Sequence, residues 1–413
     1  MASRTTSQTA RALRIGAAAL AAGLAVPAMA NATPSWVASA TVSPADAAAM
    51  PQVGVDAAGG AVVAYVDDSG TIQTASRPAS ALAVWGTPAD LGAGTSPRLA
   101  VDPSGRAVVA YRDGSGTVSA ATRDSAAGSW SSPLALSSSP VAAGVVLRVA
   151  MDASGNALAV WNTSATTVEA AVRPAGAAWG PAEILCTGCD KPALAVDGAG
   201  NAVAAWVRSG RGESRVRPAA PSFVSAWSAP AWATPTNVTP VQPQLAMDGR
   251  GTAVMVFRDV SNVIESVARP GSGGHFTTSQ SWTAPQIISA PGENVDQPQV
   301  AMDAAGDAVA VWRHPSGPAT VQVASRAADD PWSGWGQPQN LLVNASPVAN
   351  PQVSVNAAGD AAVVWEQGTG VAIQAAGKGA EGPAEAGRTA AWMATPVPCS
   401  QTTAASPAAL TLT

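Results

Sequence analysis

The fold is decided by Pro192-Ala-Leu-Ala-Val-Asp-Gly-Ala-Gly-Asn-Ala-Val-Ala-Ala-Trp206, because variants of this stretch recur along the chain. The shared pattern is Pro-x-(Leu/Val)-x-(Val/Met)-Asp-x-x-Gly-x-Ala-(Val/Leu)-x-x-aromatic. The other six copies occupy residues 51–65, 97–111, 147–161, 243–257, 298–312 and 351–365, and the copy at 147 begins with Leu instead of Pro. The Asp positions of successive copies are 45 to 55 residues apart. One structural unit therefore repeats seven times.

Each copy predicts a four-stranded antiparallel sheet. Asp303-Ala-Ala-Gly306 fits a tight turn between two apolar runs, with Gly supplying a positive φ. A third run ends in Arg, and a Trp-x-x-Pro segment supplies the fourth strand. The run Ala157-Leu-Ala-Val-Trp161 is apolar at every position, so both of its faces must be covered. A sandwich would leave one face polar, and solenoid coils need only about 20–30 residues. The sequence predicts a seven-bladed β-propeller over residues 31–376.

Two segments compete to complete the last blade. Trp36-Val-Ala-Ser-Ala-Thr-Val42 precedes the first hairpin and reads as an unattached strand. Trp392-Met-Ala-Thr-Pro396 is the alternative, within a Gly/Ala/Pro/Thr-rich tail of residues 377–413. We favour Trp36–Val42, because it lies closer to an intact repeat. An N-terminal strand in this place would leave no sheet edge open.

The first thirty residues read as a secretory signal peptide. Arg4, Arg11 and Arg14 precede an apolar run, and Ala28-Met-Ala30 is a typical cleavage site. The run is shorter than the roughly 20 residues of a membrane-spanning helix. We expect a secreted protein with no membrane span. Cleavage changes the net charge from −5 to −8, because three Arg are lost. This acidity argues against nucleic acid as a partner.

The chain has three cysteines, and two of them form the segment Cys186-Thr-Gly-Cys189. No βαβ pattern surrounds it, which disfavours a thioredoxin-type redox pair. A zinc site would need two further ligands, and the sequence offers only His275, His314 and Cys399 for them. In an exported protein, a local Cys186–Cys189 disulfide is the favoured interpretation. We expect no metal and no cofactor.

Two known repeat types share parts of this pattern. The Asp-x-x-Gly turn followed by an aromatic strand resembles the Asp-box turns of sialidase-type propellers. The opening Pro192-Ala-Leu-Ala-Val-Asp-Gly-Ala-Gly-Asn201 resembles the start of NHL repeats. Each resemblance covers some fifteen residues per copy and is a turn signature that functionally unrelated propellers share. It implies a secreted bacterial propeller and does not identify an activity.

The acidic residue of each repeat is open to two interpretations, a ring of catalytic or calcium-binding carboxylates and a structural turn. Turn capping is favoured, because the residue recurs once per blade at the same turn and Asn replaces Asp in one copy. The positions are Asp56, Asp102, Asp152, Asp197, Asp248, Asp303 and Asn356. The repeated strand-end Arg residues form either an anion-binding ring or, as we favour, a cover over apolar surface.

No catalytic constellation is visible in the sequence. The two Tyr, Tyr65 and Tyr111, occupy the repeated aromatic position, where packing is the expected role, so a sialidase nucleophile is missing. Two His and no Gly-x-Ser-x-Gly disfavour a Ser-His-Asp hydrolase. A pair of glycosidase carboxylates stays open, since its members would meet only in space.

The loops after the repeated aromatic residues carry non-repeating polar groups. Antiparallel pairing places these loops on one rim, opposite the Asp-x-x-Gly turns, and loops on a rigid scaffold often bind ligands. We select as candidate ligand-binding residues, called here the rim residues, Arg112, Asp113, Arg258, Asp259, Arg313 and His314. A merely solvated rim is the alternative.

Two functional classes follow from these observations. The favoured one is a non-catalytic, monomeric binding or scaffold propeller that recognises glycan or protein through this rim. The net negative charge favours a neutral ligand over a polyanion. The alternative is an extracellular hydrolase or lyase acting on polysaccharide.

Overall fold

The computed structural model describes most of the region between residues 49 and 378. The described residues are 49–78, 80, 85–163, 166–219, 226–271, 276–315, 319–343, 347–355, 359, 361–367, 372–378 and 393–395. The expected signal peptide, the segment 36–42, Asn356 and Cys399 lie outside them. No helix occurs in these ranges, and hence no helix there is suited to crossing a bilayer.

The described backbone forms 27 strands joined by turns. The first eleven are β1 (Ala49–Val55), β2 (Ala61–Val66), β3 (Thr71–Arg77), β4 (Ala89–Val101), β5 (Ala107–Asp113), β6 (Val118–Arg123), β7 (Leu134–Ala135), β8 (Leu147–Met151), β9 (Ala157–Asn162), β10 (Thr167–Arg173) and β11 (Glu183–Thr187). The next eight are β12 (Cys189–Val196), β13 (Ala202–Arg208), β14 (Arg211–Arg217), β15 (Ala231–Trp232), β16 (Val241–Met247), β17 (Ala253–Arg258), β18 (Ile264–Arg269) and β19 (Gln286–Ile287). The last eight are β20 (Asp296–Met302), β21 (Ala308–His314), β22 (Thr320–Arg326), β23 (Gln339–Val343), β24 (Val348–Val355), β25 (Ala361–Gln367), β26 (Ala372–Lys378) and β27 (Met393–Thr395).

Each sequence repeat forms one four-stranded antiparallel sheet. Strands β1 to β7 form one continuous sheet, because the long strand β4 pairs with β3 through its first half and with β5 through its second half. We call the two parts sheets I and II, divided within β4. The remaining sheets are III (β8–β11), IV (β12–β15), V (β16–β19), VI (β20–β23) and VII (β24–β27). All-β repetition of four-stranded sheets is the arrangement of β-propellers.

The fourth strand of sheet VII corrects one expectation. This strand is β27, which pairs antiparallel with β26 through Gly377↔Met393, Ala376↔Ala394 and Ala375↔Thr395. The prediction that the N-terminal segment Trp36–Val42 supplies it is therefore wrong. The alternative segment near residue 392 supplies it instead, because a strand that follows its partner in sequence pairs through a local connection. Strand β26 also extends to Lys378, beyond the expected boundary at 376.

The core lies between the faces of neighbouring sheets. The second strands are buried along most of their length, and Ala157–Trp161 has no exposed surface. One cluster joins Val254, Val256 and Ile264 of sheet V to Ala310 and Trp312 of sheet VI. The first strands of successive sheets also lie next to one another, from β1 through β4, β8, β12, β16 and β20 to β24. The apolar side chains on the two faces of a second strand thus pack against the neighbouring sheets on both sides.

The repeated Asp residues hold the turns between first and second strands. The Oδ1 atom of Asp303 accepts hydrogen bonds from the backbone N–H groups of Gly306 (2.7 Å) and Asp307 (2.9 Å). Gly306 has a φ of 105°, a conformation that favours glycine. Equivalent bonds to the turn backbone are made by Asp56, Asp102, Asp152, Asp197 and Asp248. In these six repeats the carboxylate is engaged within its own turn.

The Arg residues at the ends of third strands lie inside the molecule. Arg326 is buried, donates to the carbonyl oxygen of Gly306 (3.4 Å) and lies 3.6 Å from the centre of the Trp332 ring. Arg123 likewise donates to Gly105 (2.9 Å). These two side chains tie the third strand to the Asp-x-x-Gly turn of the same sheet, so they do not present an open anion-binding ring.

Candidate functional site

The rim residues of sheet II hold their own loops. Arg112 donates from Nε to the carbonyl oxygen of Val141 (3.1 Å). Asp113 accepts from the backbone N–H groups of Ser115 (3.0 Å) and Thr117 (2.9 Å). Burial acts to raise the pKa of Asp113, but side-chain hydrogen bonds from Ser115 and Ser119 outweigh it and lower the pKa. The ionised carboxylate therefore serves the hairpin between β5 and β6.

The rim residues of sheet V behave in the same way. Asp259 is only 8% exposed and accepts from the N–H groups of Ser261 (2.8 Å) and Val263 (3.1 Å). Arg258 donates from Nη1 to the side-chain oxygen of Asn262 (2.7 Å). Both charged side chains are directed to the loop that follows β17. The pairing of Arg with a following Asp thus marks a second family of structural turns.

In sheet VI the rim residues reach the first strand. Arg313 makes two hydrogen bonds to Asp296, from Nε to Oδ1 (2.6 Å) and from Nη2 to Oδ2 (2.5 Å). These bonds raise the pKa of Arg313. The Nε2 atom of His314 lies 3.9 Å from Oε1 of Glu293. The rim residues thus lie at corresponding ends of three different sheets, and the contacts described above are made to neighbouring loops and strands.

A cavity opens at the same end of the sheets. The end of a second strand pairs with the start of the first strand, as in Asp296↔Arg313 and Val241↔Arg258. The starts of five successive first strands surround a volume of ≈ 380 Å³, which we call the first-strand cavity. Sheets V, VI and VII each contribute an X-Pro-Gln segment, at 242–244, 297–299 and 350–352. Sheet IV contributes Lys191 and Pro192, and sheet III contributes Val146 and Arg148.

The residue before each Pro has an unusual backbone conformation. Left-handed φ values of 51° to 57° occur at Met50, Ser96, Lys191, Gln242, Gln297 and Asn350. Non-glycine residues in this region cost about 1–3 kcal/mol each and tend to cluster at functional sites. The pairing register shifts at the same place in each of these sheets, as between Val241 and Gln244. In sheets IV to VII the residue with this conformation also lines the cavity.

Amide side chains join these bulges from sheet to sheet. The side-chain oxygen of Gln242 accepts from the N–H of Gln297 (3.1 Å), and that of Gln297 accepts from the N–H of Asn350 (2.8 Å). The side chains of Gln244 and Gln299, which also line the cavity, have no hydrogen-bond partner among the described residues. Two half-buried amides are therefore available to a ligand.

Two arginines meet at one side of the cavity. Arg148 donates from Nη1 to the carbonyl oxygen of Leu147 (3.0 Å), and Arg98 of sheet II donates from Nε to the same oxygen (3.1 Å). Burial and, to a smaller extent, the positive charge of Arg98 together lower the pKa of Arg148 to about 10. Lys191 adds a third positive charge, 3.9 Å from Asp190. The described lining contains no Asp or Glu, so it offers no carboxylate pair of the kind that glycosidases use.

A second cavity of ≈ 260 Å³ lies at the opposite end, between sheets V and VI. Its lining includes Asp248, Arg250, Arg326 and Trp332. Asp248 is engaged with its own turn, and Arg326 covers one face of the Trp332 ring. Most of its polar groups are therefore already occupied.

The cysteine pair lies beside a buried carboxylate. Cys186 and Cys189 are joined by a disulfide. Glu213 accepts a hydrogen bond from Nε1 of Trp206 (2.8 Å), and its Oε2 lies 3.6 Å from the sulfur of Cys186. The three residues are close enough to suggest a metal site, but the sulfurs are bonded to each other, so this group is part of the core between sheets III and IV.

No known protein family matches the sequence, and no curated protein matches it. Solved structures do resemble the fold. BP39L lectin from Burkholderia pseudomallei superposes with a TM-score of 0.62 at 14% identity, covering 85% of this chain and 99% of the lectin. The six-bladed β-propeller lectin of Aleuria aurantia gives 0.42 at 14% identity, over 69% of this chain and 91% of the lectin. NanB sialidase from Streptococcus pneumoniae gives 0.45 at 9% identity, over 80% and 67%. Scores below 0.5 do not establish a common fold; the likeness to BP39L lectin does.

Proposed function

We propose that this chain is a secreted carbohydrate-binding protein whose seven sheets close into a seven-bladed β-propeller, and that the first-strand cavity is its binding site. One observation carries the proposal: five successive first strands converge on one cavity, in which the side chains of Gln244 and Gln299 have no hydrogen-bond partner among the described residues. A group with unused donors and acceptors gains most from a ligand that supplies them.

The chemistry of the lining suits a saccharide. Amide groups donate and accept at once, which matches hydroxyl groups that do the same. Guanidinium groups such as that of Arg148 donate several hydrogen bonds in a fixed geometry. The volume of ≈ 380 Å³ falls within the range of small-ligand sites. The shared fold with BP39L, a protein described as a lectin, supports the same conclusion.

The mature protein, without residues 1–30, provides the test. Its binding to an immobilised glycan library is compared with that of a Gln244→Ala/Gln299→Ala double variant. We expect the wild-type protein to bind at least one glycan class and the double variant to lose most of that binding. Arg250→Ala, an exposed residue at the opposite end of sheet V, is the matched control and should bind like the wild type.

The result also separates the two cavities. A Trp332→Ala variant should keep its glycan binding, because Trp332 lines only the cavity at the opposite end. The proposal is overturned if the wild-type protein binds no glycan, or if Trp332→Ala abolishes binding and the double variant does not.

A further inference from the structure

The charged side chains in the described lining of the first-strand cavity are all positive. Arg148 lines the cavity, and Arg98 binds the same carbonyl oxygen, that of Leu147. Neither guanidinium has a carboxylate within 4 Å among the described residues, whereas Arg313, Arg173, Arg208 and Arg106 each have one. Two adjacent positive charges thus lie half-buried and uncompensated.

From this arrangement we infer that the cavity binds a saccharide bearing a carboxylate, as in a uronic acid, with the carboxylate held by Arg148 and supported by Arg98. The inference rests on the proposed function and specifies its ligand class. A carboxylate accepts two parallel N–H bonds from one guanidinium, and such charged hydrogen bonds are roughly twice as strong as neutral ones. It would also offset the repulsion that lowers the pKa of Arg148.

The rest of the lining limits the ligand to one or a few acidic groups. The lining also contains amide groups and prolines from sheets V to VII, which suit hydroxyls and the apolar face of a sugar ring. The mature chain carries a net charge of −8, which repels an extended polyanion at long range. That overall charge is why the sequence favoured a neutral ligand. Inside the cavity the local charge favours an anionic group instead, because the described lining holds positive charges and no carboxylate.

Calorimetric titration of the mature wild-type protein tests the inference with matched ligands. One ligand is a galacturonic acid trisaccharide, and the other is its carboxyl-reduced form, which keeps every ring and linkage. We expect the acidic form to bind at least about tenfold more tightly at low salt, a difference of about 1.4 kcal/mol. Raising the salt concentration should reduce this preference, since partly exposed charges are screened.

Variants then locate the effect. Arg148→Gln should remove the preference for the acidic ligand, and Arg148→Lys should keep part of it, because Lys preserves the charge and loses the paired geometry. Arg250→Gln, at the far end of sheet V, should retain the full preference. The comparison of two ligands on the wild-type protein needs no variant, so it decides the question even where a variant fails to fold.

The outcomes distinguish a failure of the acidic-ligand inference from a failure of the proposed carbohydrate binding. Equal affinity for both trisaccharides overturns the inference and leaves carbohydrate binding intact. Binding of neither, with no binder in the glycan library, overturns the proposed function itself. Binding of inorganic sulfate without binding of the acidic trisaccharide shows a site for a free anion, and it overturns the saccharide assignment.

Discussion

Glu265 lies directly opposite Phe257 on the paired strands β18 and β17, and Oε2 of this buried carboxylate has no hydrogen-bond partner among the described residues. In three other sheets the same pair of positions forms a hydrogen bond. The pairs are Trp161–Glu169 (3.0 Å), Trp206–Glu213 (2.8 Å) and Trp312–Gln322 (2.7 Å). Phe has no N–H to donate. Sheet V therefore has the acceptor, Glu265, but no side-chain donor at the position opposite it.

This mismatch predicts a pH-dependent stability. Burial raises the pKa of Glu265, and the negative charge of Asp259 raises it further. A carboxyl group with a raised folded-state pKa favours the folded state below its unfolded pKa, and this contribution is lost as pH rises through the folded pKa. Glu265→Gln should therefore raise the melting temperature at pH 7, and its advantage should shrink as the pH is lowered toward 4.

Glu213→Gln is the matched control, since Glu213 occupies the equivalent position and receives hydrogen bonds from Trp206 and Arg208. That substitution should lower the melting temperature or leave it unchanged. Scanning calorimetry at several pH values measures both variants. A lower melting temperature for Glu265→Gln at pH 7 would show that its carboxylate is satisfied in solution.

The Asp-x-x-Gly turns predict a graded effect on stability. Asp303→Ala removes the acceptor of two backbone N–H groups and should cost about 0.5–2 kcal/mol in the free energy of unfolding. Asp303→Asn keeps the side-chain oxygen and should cost less. Urea denaturation measures both. Equal losses for the two variants would mean that the charge matters more than the backbone bonds, and a loss of glycan binding would contradict the structural role.

The rim residues predict stability effects and no loss of affinity. Arg313→Ala breaks the paired hydrogen bonds to Asp296, each partner being about a quarter exposed (27% and 23%). We expect a loss of about 1 kcal/mol of stability. Arg313→Lys should recover part of it. The sugar affinity of both variants, measured by titration, should stay within twofold of the wild type, and a tenfold loss would return Arg313 to the binding site.

Because β27 completes sheet VII, we expect the C-terminal segment to contribute more to thermal stability than the N-terminal segment. Truncation after Lys378 removes β27 and exposes β26 as an open edge, so the melting temperature should fall. Deletion of residues 31–46 leaves sheet VII with all four strands and should have little effect. Thermal denaturation of the two shortened proteins measures this, and the reverse order of stabilities would restore the N-terminal strand to the last sheet.

Much of the fold could be predicted from the sequence, because its information is local and repeated. Asp303-Ala-Ala-Gly306 specifies a turn wherever it stands, and Ala157–Trp161 specifies a strand that is covered on both faces. The origin of β27 could not be predicted in this way. Two segments offered suitable strands, and the choice between them depends on how the chain connects them.

The first-strand cavity could not be predicted from the sequence for a different reason. Much of its lining flanks the repeated Pro. The position that follows this Pro, or Leu147 in the third copy, is Gln at 52, 244, 299 and 352 and Arg at 98 and 148, and four of these six residues line the cavity. The polar bias at this position was a visible signal. The rim residues are the stronger candidates in the sequence because they break the repeat. Side-chain partners such as Asp296 for Arg313 arise only when strands pair, and the sequence does not show them.

A crystal structure of the mature protein with a bound oligosaccharide would show whether the first-strand cavity binds sugar. We predict sugar density in this cavity, with hydrogen bonds to Gln244, Gln299 and Arg148. Sugar density found only beside Trp332, or only along the outer strands of the sheets, would contradict it.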